Sequence, residues 1–278
     1  MNLSGRIAVV TGAGSGIGRA VSVLLAKRGC QLALVDIDPE SLDGTAALIE
    51  AEGADARCFV VDVSNREQMQ ALPGRVVEAF GAVHILVNNA GVSVGATFAE
   101  QTVEDLEWII GINLWGVVYG CKFFLPVLRE QDEAHIVNIS SMFGFLGLPG
   151  HASYCVTKAG VKALSEALWS ELADTSVNVT SVHPGGIATN IAKAARTVDD
   201  EVREHGRDLM ARYGHSPAKA ARKIVGAIQA NRKRVLIGPE AYITDWLKRA
   251  LPVTFHRILT MFHLRSPAAA REKARASR

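Results

Sequence analysis

The chain has 278 residues, 49% of them apolar and 21% charged, with a formal net charge of +2. That length suits one large α/β domain, and so small a charge excludes nucleic acid as a general partner. No apolar run is long enough for a membrane-spanning helix, no signal peptide is visible, and Cys30, Cys58, Cys121 and Cys155 have neither Cys-x-x-Cys nor metal-ligand spacing, so a cytoplasmic protein with reduced thiols, mostly core filler, and no metal is expected.

Ile7 to Thr11 is a short run rich in β-branched residues and predicts a first strand ending at Gly12. Gly14, Gly16 and Gly18 follow at alternate positions, and Ala20 to Arg28 has helical character. Strand, glycine loop and helix together present backbone N–H groups to a pyrophosphate. The spacing is Thr-Gly-x-x-x-Gly-x-Gly; the dinucleotide fingerprint G-x-G-x-x-G fails, because its last position falls on Ile17. The second strand, Gln31 to Asp36, ends on an acid about 20 residues after the loop, where a carboxylate can accept hydrogen bonds from an adenosine ribose. The same charge repels a 2′-phosphate, and neither Ser15 nor Ile37 supplies a cation, so NAD is expected over NADP. Asp36 could instead serve the turn or cap before the helix that opens at Asp38-Pro39-Glu40.

That helix is predicted to Ala51, a third strand over Ala56–Val61, and a helix over Arg66–Phe80 that Pro73 could disturb. Asp62, followed by Val63, could reach an adenine or cap the helix that begins near Asn65. His84–Val87 is a fourth strand running into Asn88-Asn89-Ala90-Gly91. Alternating strands and helices predict a parallel, doubly wound sheet with helices on both faces and its ligand at the C-terminal strand edges. A long helix follows over Thr102–Arg129, a strand over Ile136–Ile139, a helix over Ala152–Ala173 and a strand over Val177–Val182. Ser216-Pro217 then starts a further helix, and Arg234–Ile237 is the last strand.

The chemistry is placed between Ser140 and Lys158. Tyr154 and Lys158 are four residues apart, which on a helix puts both on one face. An ammonium beside a phenol favours the phenolate and lowers a pKa that is ordinarily about 10, which suits general acid–base work.

With these motifs in place, the chain resembles the short-chain dehydrogenase/reductase family of the typical, single-domain kind. The resemblance rests on Thr11-Gly12-Ala13-Gly14-Ser15-Gly16-Ile17-Gly18, Asn88-Asn89-Ala90-Gly91, Asn113, Ser141, Tyr154, Lys158 and Pro184-Gly185-Gly186-Ile187-Ala188-Thr189, in order and in register over roughly residues 3–238. It implies a Rossmann-type fold with a seven-stranded sheet, and homo-oligomerisation, as a tetramer or dimer, through the helices carrying Asn113 and Tyr154. It implies a catalytic set of Asn113, Ser141, Tyr154 and Lys158: Asn113 kinks its helix and serves a proton relay, Ser141 orients the substrate oxygen, and Lys158 also binds the nicotinamide ribose. Around NAD it implies Gly12, Ser15, Gly16, Ile17, Gly18, Asp36, Asp62, Val63, Asn89, Ala90, Gly91, Tyr154, Lys158, Pro184, Gly185, Ile187 and Thr189. Ile187 would offer backbone groups and Thr189 a hydroxyl to the carboxamide. Ser140 and His183 are read as structural, and residues 190–215 as a mobile flap over the substrate.

The implied reaction is reversible hydride transfer between NAD(H) and a secondary alcohol or ketone. Met142, Phe143, Phe145, Leu146 and Val92 to Val94 are the expected pocket neighbours, and their apolar character favours a steroid-, retinoid- or lipid-like substrate. His151 could add a polar contact. The competing reading is a non-catalytic NAD-binding regulator or assembly protein. Residues 239–278 are expected to form a helical, basic C-terminal extension to the 1–238 domain. Its stripe of Phe255, Ile258, Leu259 and Phe262 could pack on the protein's own body, on a sister subunit, or on an anionic membrane surface, making the protein peripheral to the membrane; the final ten residues are expected to fray.

Overall fold

A computed structural model of the chain describes residues 1–191, 195–197, 204, 208, 211–212 and 214–264. Most of the proposed flap, the Phe262 side chain, and the tail beyond residue 264, with Arg265, Arg271, Lys273, Arg275 and Arg278, lie outside the described residues. Strands β1 (Ile7–Thr11), β2 (Gln31–Asp36), β3 (Ala56–Val60) and β4 (Ile85–Asn88) alternate with helices α1 (Gly16–Ala26), α2 (Pro39–Glu50) and α3 (Arg66–Phe80). After a two-residue strand β5 (Val94–Gly95) come α4 (Val103–Ile110), α5 (Gly116–Arg129), β6 (Ala134–Ile139), α6 (Ala152–Glu171) and β7 (Val177–Pro184). The short β8 (Arg196–Thr197), α7 (Pro217–Gln229), β9 (Arg234–Ile237), α8 (Pro239–Ala250) and α9 (Thr254–Leu264) complete the described elements.

Seven strands form one parallel sheet in the order β3-β2-β1-β4-β6-β7-β9. Alternate residues of a strand feed two cores. Ala8 and Val10 of β1 pack with Val21 and Leu25 of α1, Leu42 of α2 and Ile224 of α7. Ile7 and Val9 pack with Met69 and Leu72 of α3, Phe124 of α5 and Val161 of α6. Burial on both faces is why these strands read as continuous apolar runs. The strand order reverses between β1 and β4, so their C-terminal ends diverge around a crevice, the usual place for a ligand in such sheets.

Several boundaries differ from expectation. Helix α1 starts at Gly16, inside the glycine loop, rather than at Ala20. The single long helix expected over Thr102–Arg129 is divided by a π turn at Gly111–Trp115, in which Gly116 N–H bonds to Gly111 O. By length and composition Val103–Arg129 could cross a membrane, but it is folded against the core, with Ile109, Asn113, Val117, Phe124 and Leu128 buried. Pro73 is buried in an α3 that runs through it. Cys58, unlike the other three cysteines, is exposed, on edge strand β3.

The extension is tied to the body where it begins. Asp245 of α8 bonds Arg234 of β9 at 2.7 and 3.0 Å, and Ala241 and Phe255 are buried. Packing on the chain's own body therefore accounts for Phe255 but not for Ile258, which stays exposed together with Tyr242, Ile243, Trp246, Val253 and Met261.

Candidate active site

The glycine loop is shaped by what lies beside it. Gly12 has φ +64°, and a Cβ there would sit 2.8 Å from Asn89 Nδ2 and 2.9 Å from Ala90 Cα. A Cβ on Gly18 would collide with the Gly12 carbonyl. Asn89 is committed to this loop: its amide donates to Thr11 O at 2.9 Å and Gly12 O at 3.2 Å. Its side chain thus shapes the loop that was expected to hold the cofactor. Thr11 Oγ1 accepts from both Asn89 N and Ala90 N. Helices α2, α3, α4 and α7 each carry a side-chain N-cap, from Asp38, Asn65, Thr102 and Ser216, whereas α1 has none. Its first-turn N–H groups and positive end are left for an anion.

Asp36 closes one side of this cradle. Its Oδ2 accepts Gly14 N–H at 2.8 Å, and Oδ1 accepts from Ile37 N and Asp38 N. Asp38, not Asp36, caps α2, so Asp36 serves the turn while standing against the loop. Arg19, which the sequence reading passed over, reaches the same corner, donating to Gly14 O, to Thr45 Oγ1 at 2.9 Å and to Ser41 O at 3.3 Å. Asp62 does not cap α3, since Asn65 does; it accepts from Ser64 N and Ser64 Oγ. Across the groove, a Cβ on Gly16 would lie 3.0 Å from Thr189 Cγ2. Loop, uncapped helix and carboxylate together fit a dinucleotide.

Beyond Gly91 lie the reactive groups. Its missing Cβ would be 3.2 Å from Asn113 Oδ1 and 3.5 Å from Lys158 Nζ. Asn113, in the π turn, is wholly buried; it accepts Val92 N–H at 2.8 Å and donates to Val92 O at 2.9 Å and Thr157 Oγ1 at 3.4 Å. Its amide therefore fixes the chain after Gly91. Lys158 is 3% exposed and donates to Ile139 O at 3.0 Å, while Ser140 Oγ donates to the Lys158 carbonyl at 2.8 Å. Ser141 stands by the Tyr154 phenol, whose ionised form it favours, and its Oγ accepts Phe143 N–H at 3.1 Å.

The expected tuning of Tyr154 by Lys158 does not hold in the free chain. Burial pushes the phenol up to about 12, against a smaller lowering from Ser141. Burial also pulls Lys158 down to about 8. The amine, 5.6 Å from the phenol ring centre, does not offset that rise in the phenol.

His183 has a supporting place that its position at a strand end only hinted at. Its Nδ1 lies 3.3 Å from Ser141 O, and its Nε2 lies 3.0 Å from Ser181 Oγ. A carbonyl only accepts, so Nδ1 carries the hydrogen and Ser181 donates to Nε2. Burial drops this imidazole to about 4, which keeps it neutral. Phe145 stacks on His183 with ring centres 4.5 Å apart and lies under the Arg234 guanidinium, so its ring is engaged there. The apolar wall nearest Tyr154 comes from Val92, Val94, Ile109 and Ile110, with Phe143 edge-on at 6.0 Å. Leu146 is buried, and His151 meets Phe143 edge-on. Pro184 ends β7, and Ile187 bridges to His215. That parallel bridge uses Gly186 O and Ala188 N, so Ile187's own N–H and C=O point away from His215.

The short chain dehydrogenase family model matches residues 6–200. The oxidoreductase SadH of Mycobacterium tuberculosis is 39% identical over 93% of this chain and 95% of its own length. A short-chain dehydrogenase/reductase from Burkholderia phymatum, solved in complex with NAD, superposes with TM-score 0.83 at 34% identity, over 90% of this chain and 95% of that one. An alcohol dehydrogenase from Thermococcus sibiricus, solved with 5-hydroxy-NADP, gives TM-score 0.72 at 26% identity, over 84% and 94%. The chain belongs to the short-chain dehydrogenase/reductase family of oxidoreductases that use a nicotinamide cofactor.

Proposed function

We propose that the protein interconverts a hydrophobic secondary alcohol and its ketone with NAD(H). The observation that carries the reading is the half-buried Tyr154, with Ser141 at its phenol and Lys158 behind its ring, close to Gly91 and the glycine loop. A bound nicotinamide dinucleotide supplies the hydride acceptor and, when oxidised, a positive charge. The deprotonated form of Tyr154, which that charge favours, takes the alcohol proton, and its neutral phenol donates one in the reverse direction. Ser141 holds the reacting oxygen, and Lys158 meets the nicotinamide ribose. The first turn of α1, from Ser15 to Gly18, receives the pyrophosphate; Asp36 receives the adenosine ribose, and Asp62 and Val63 the adenine. Gly91, and the loop from Pro184 through Gly185 and Ile187 to Thr189, border the nicotinamide. An apolar substrate is supported by the partly exposed Val92 and Phe143 next to Tyr154.

NAD is favoured over NADP because the Asp36 carboxylate stands at the loop while Arg19 spends Nε and Nη2 on Thr45, Gly14 and Ser41. Self-association through α5 and α6 into a homodimer or homotetramer is supported by the half-exposed Trp115, which stacks on Tyr119, itself stacked on Phe123. The exposed Ile243, Trp246, Val253 and Met261 share α8, α9 and the turn between them with Lys248, Arg249 and Arg257, of which Arg249 pairs with Asp245. Apolar groups flanked by cations suit an anionic bilayer surface. A symmetric contact with a second copy would set these cations against their own kind.

With a panel of hydrophobic secondary alcohols, NADH formation is expected from the wild type, and Tyr154→Phe should lower kcat by about 10²–10⁴-fold, the usual share of general acid–base catalysis. Unchanged kcat would refute the role of Tyr154, and NADH binding without turnover on any alcohol or ketone would favour the regulator reading. In parallel titrations the wild type should bind NAD more tightly than NADP, and Asp36→Ala should narrow the gap; tighter NADP binding by the wild type overturns the assignment. The full chain should pellet with phosphatidylserine-containing vesicles and not with phosphatidylcholine alone, and Trp246→Asp should weaken pelleting. Equal recovery in the supernatant with both vesicles removes the membrane proposal.

A further inference from the structure

Glu240 opens α8, immediately past the last strand of the sheet. Gly238, at φ +94°, and Pro239 turn the chain there. The Glu240 carboxylate lies against Gly185 and Gly186, across 54 residues of sequence. Its Oε1 accepts Gly186 N–H at 3.0 Å, and its Oε2 lies 3.2 Å from His215 Nε2. The fit depends on glycine at both 185 and 238, since a Cβ on either would collide with the carboxylate. His215 grips the same loop through its backbone, donating its N–H to Gly186 O at 2.8 Å and accepting Ala188 N–H at 2.9 Å. One acid and one histidine thus fix Gly186 and Ala188, on either side of Ile187, and they do so from outside the sheet.

The geometry points to Glu240 as a positioning residue that holds the Gly185–Thr189 loop in the shape required by the nicotinamide half of the dinucleotide, with His215 as its second anchor. The inference rests on the reading above that this loop meets the nicotinamide. Glu240 touches neither the glycine loop nor Asp36 among the described contacts. The two halves of the dinucleotide are therefore held by separate devices: α1 and Asp36 for the adenosine diphosphate, and the braced loop for the rest. A carboxylate accepting a backbone N–H makes a charge-assisted bond, stronger than a neutral one. Its loss leaves the loop without one of its fixed points while the sheet and the cradle stay intact. It also gives the C-terminal extension a part in cofactor recognition.

The test is calorimetric titration of the full chain with two probes, NADH and ADP; ADP carries the adenosine diphosphate but no nicotinamide. Glu240→Ala should raise the dissociation constant for NADH about tenfold, the size expected for one charge-assisted bond, and leave that for ADP unchanged. Hydrogen exchange at the Gly186 and Ala188 amides of the free protein should quicken in the same variant. Glu240→Gln keeps an acceptor oxygen but not the charge, and should fall between the wild type and Glu240→Ala in both measurements. If Glu240→Ala does not fold, Glu240→Asp, one methylene too short to reach Gly186, should show the same split in smaller measure. Equal weakening of NADH and ADP, or unaltered NADH affinity in a folded Ala or Asp variant, overturns the proposal. A wild type that binds neither probe would overturn the dinucleotide reading, and with it the inference.

Discussion

The amine of Lys158 sits where water does not reach, held by the Ile139 carbonyl at 3.0 Å, and much of the site is arranged around that buried cation. Ile139 is the last residue of β6, so the bond joins the C-terminal edge of the sheet to the first turns of α6. A second bond, from Ser140 Oγ to the Lys158 carbonyl, joins the same two elements. Gly144 permits the close approach: a Cβ there would lie 2.8 Å from both Lys158 O and Ser140 Oγ. Burying a charged group is costly unless it is bonded, and the cost appears as the fall of the Lys158 pKa to about 8. In return Lys158 is immobilised beside Tyr154 and Gly91, and Ser141, next along the chain from Ser140, is fixed opposite the phenol.

The same economy of position recurs around the crevice. Asn89, Asn113 and His183 all look reactive by residue type, yet Asn89 is bonded to Thr11 and Gly12 backbone, Asn113 mainly to Val92 backbone, and His183 to the Ser141 carbonyl and the Ser181 hydroxyl. They hold in place the chain segments that carry the working groups. Preorganisation of this kind lets a site act on a bound substrate without rearranging at the moment of reaction. It also explains the glycines: at Gly12 and Gly18 the loop, Asn89 and Ala90 approach so closely that no side chain fits.

The sheet was legible because parallel strands buried on both faces are short apolar runs punctuated by glycine and acid. The register of Gly12 to Gly18, Ser141, Tyr154 and Lys158 was legible because spacing along a loop or a helix converts directly into geometry. What escaped was set by distance in sequence or by environment. Glu240 meets Gly186, and Arg19 meets Ser41, through contacts that no local pattern encodes. Asp36 and Asp38 both stand before α2, and only coordinates assign the cap to the second. The π turn at Gly111–Trp115 interrupts what periodicity reads as one helix. The direction of the Tyr154 shift was misjudged because proximity to Lys158 is visible in a sequence, whereas the shared burial that shifts both groups is not.

In the free protein, then, burial rather than the neighbouring amine governs the phenol. The most direct test is to follow the chain's four tyrosines by NMR of ring-labelled protein as pH rises, with Tyr154→Phe to identify the resonance. The Tyr154 signal should titrate well above the ordinary value of 10, near about 12. A Tyr154 signal that titrates at or below 10 in the free protein would contradict the account.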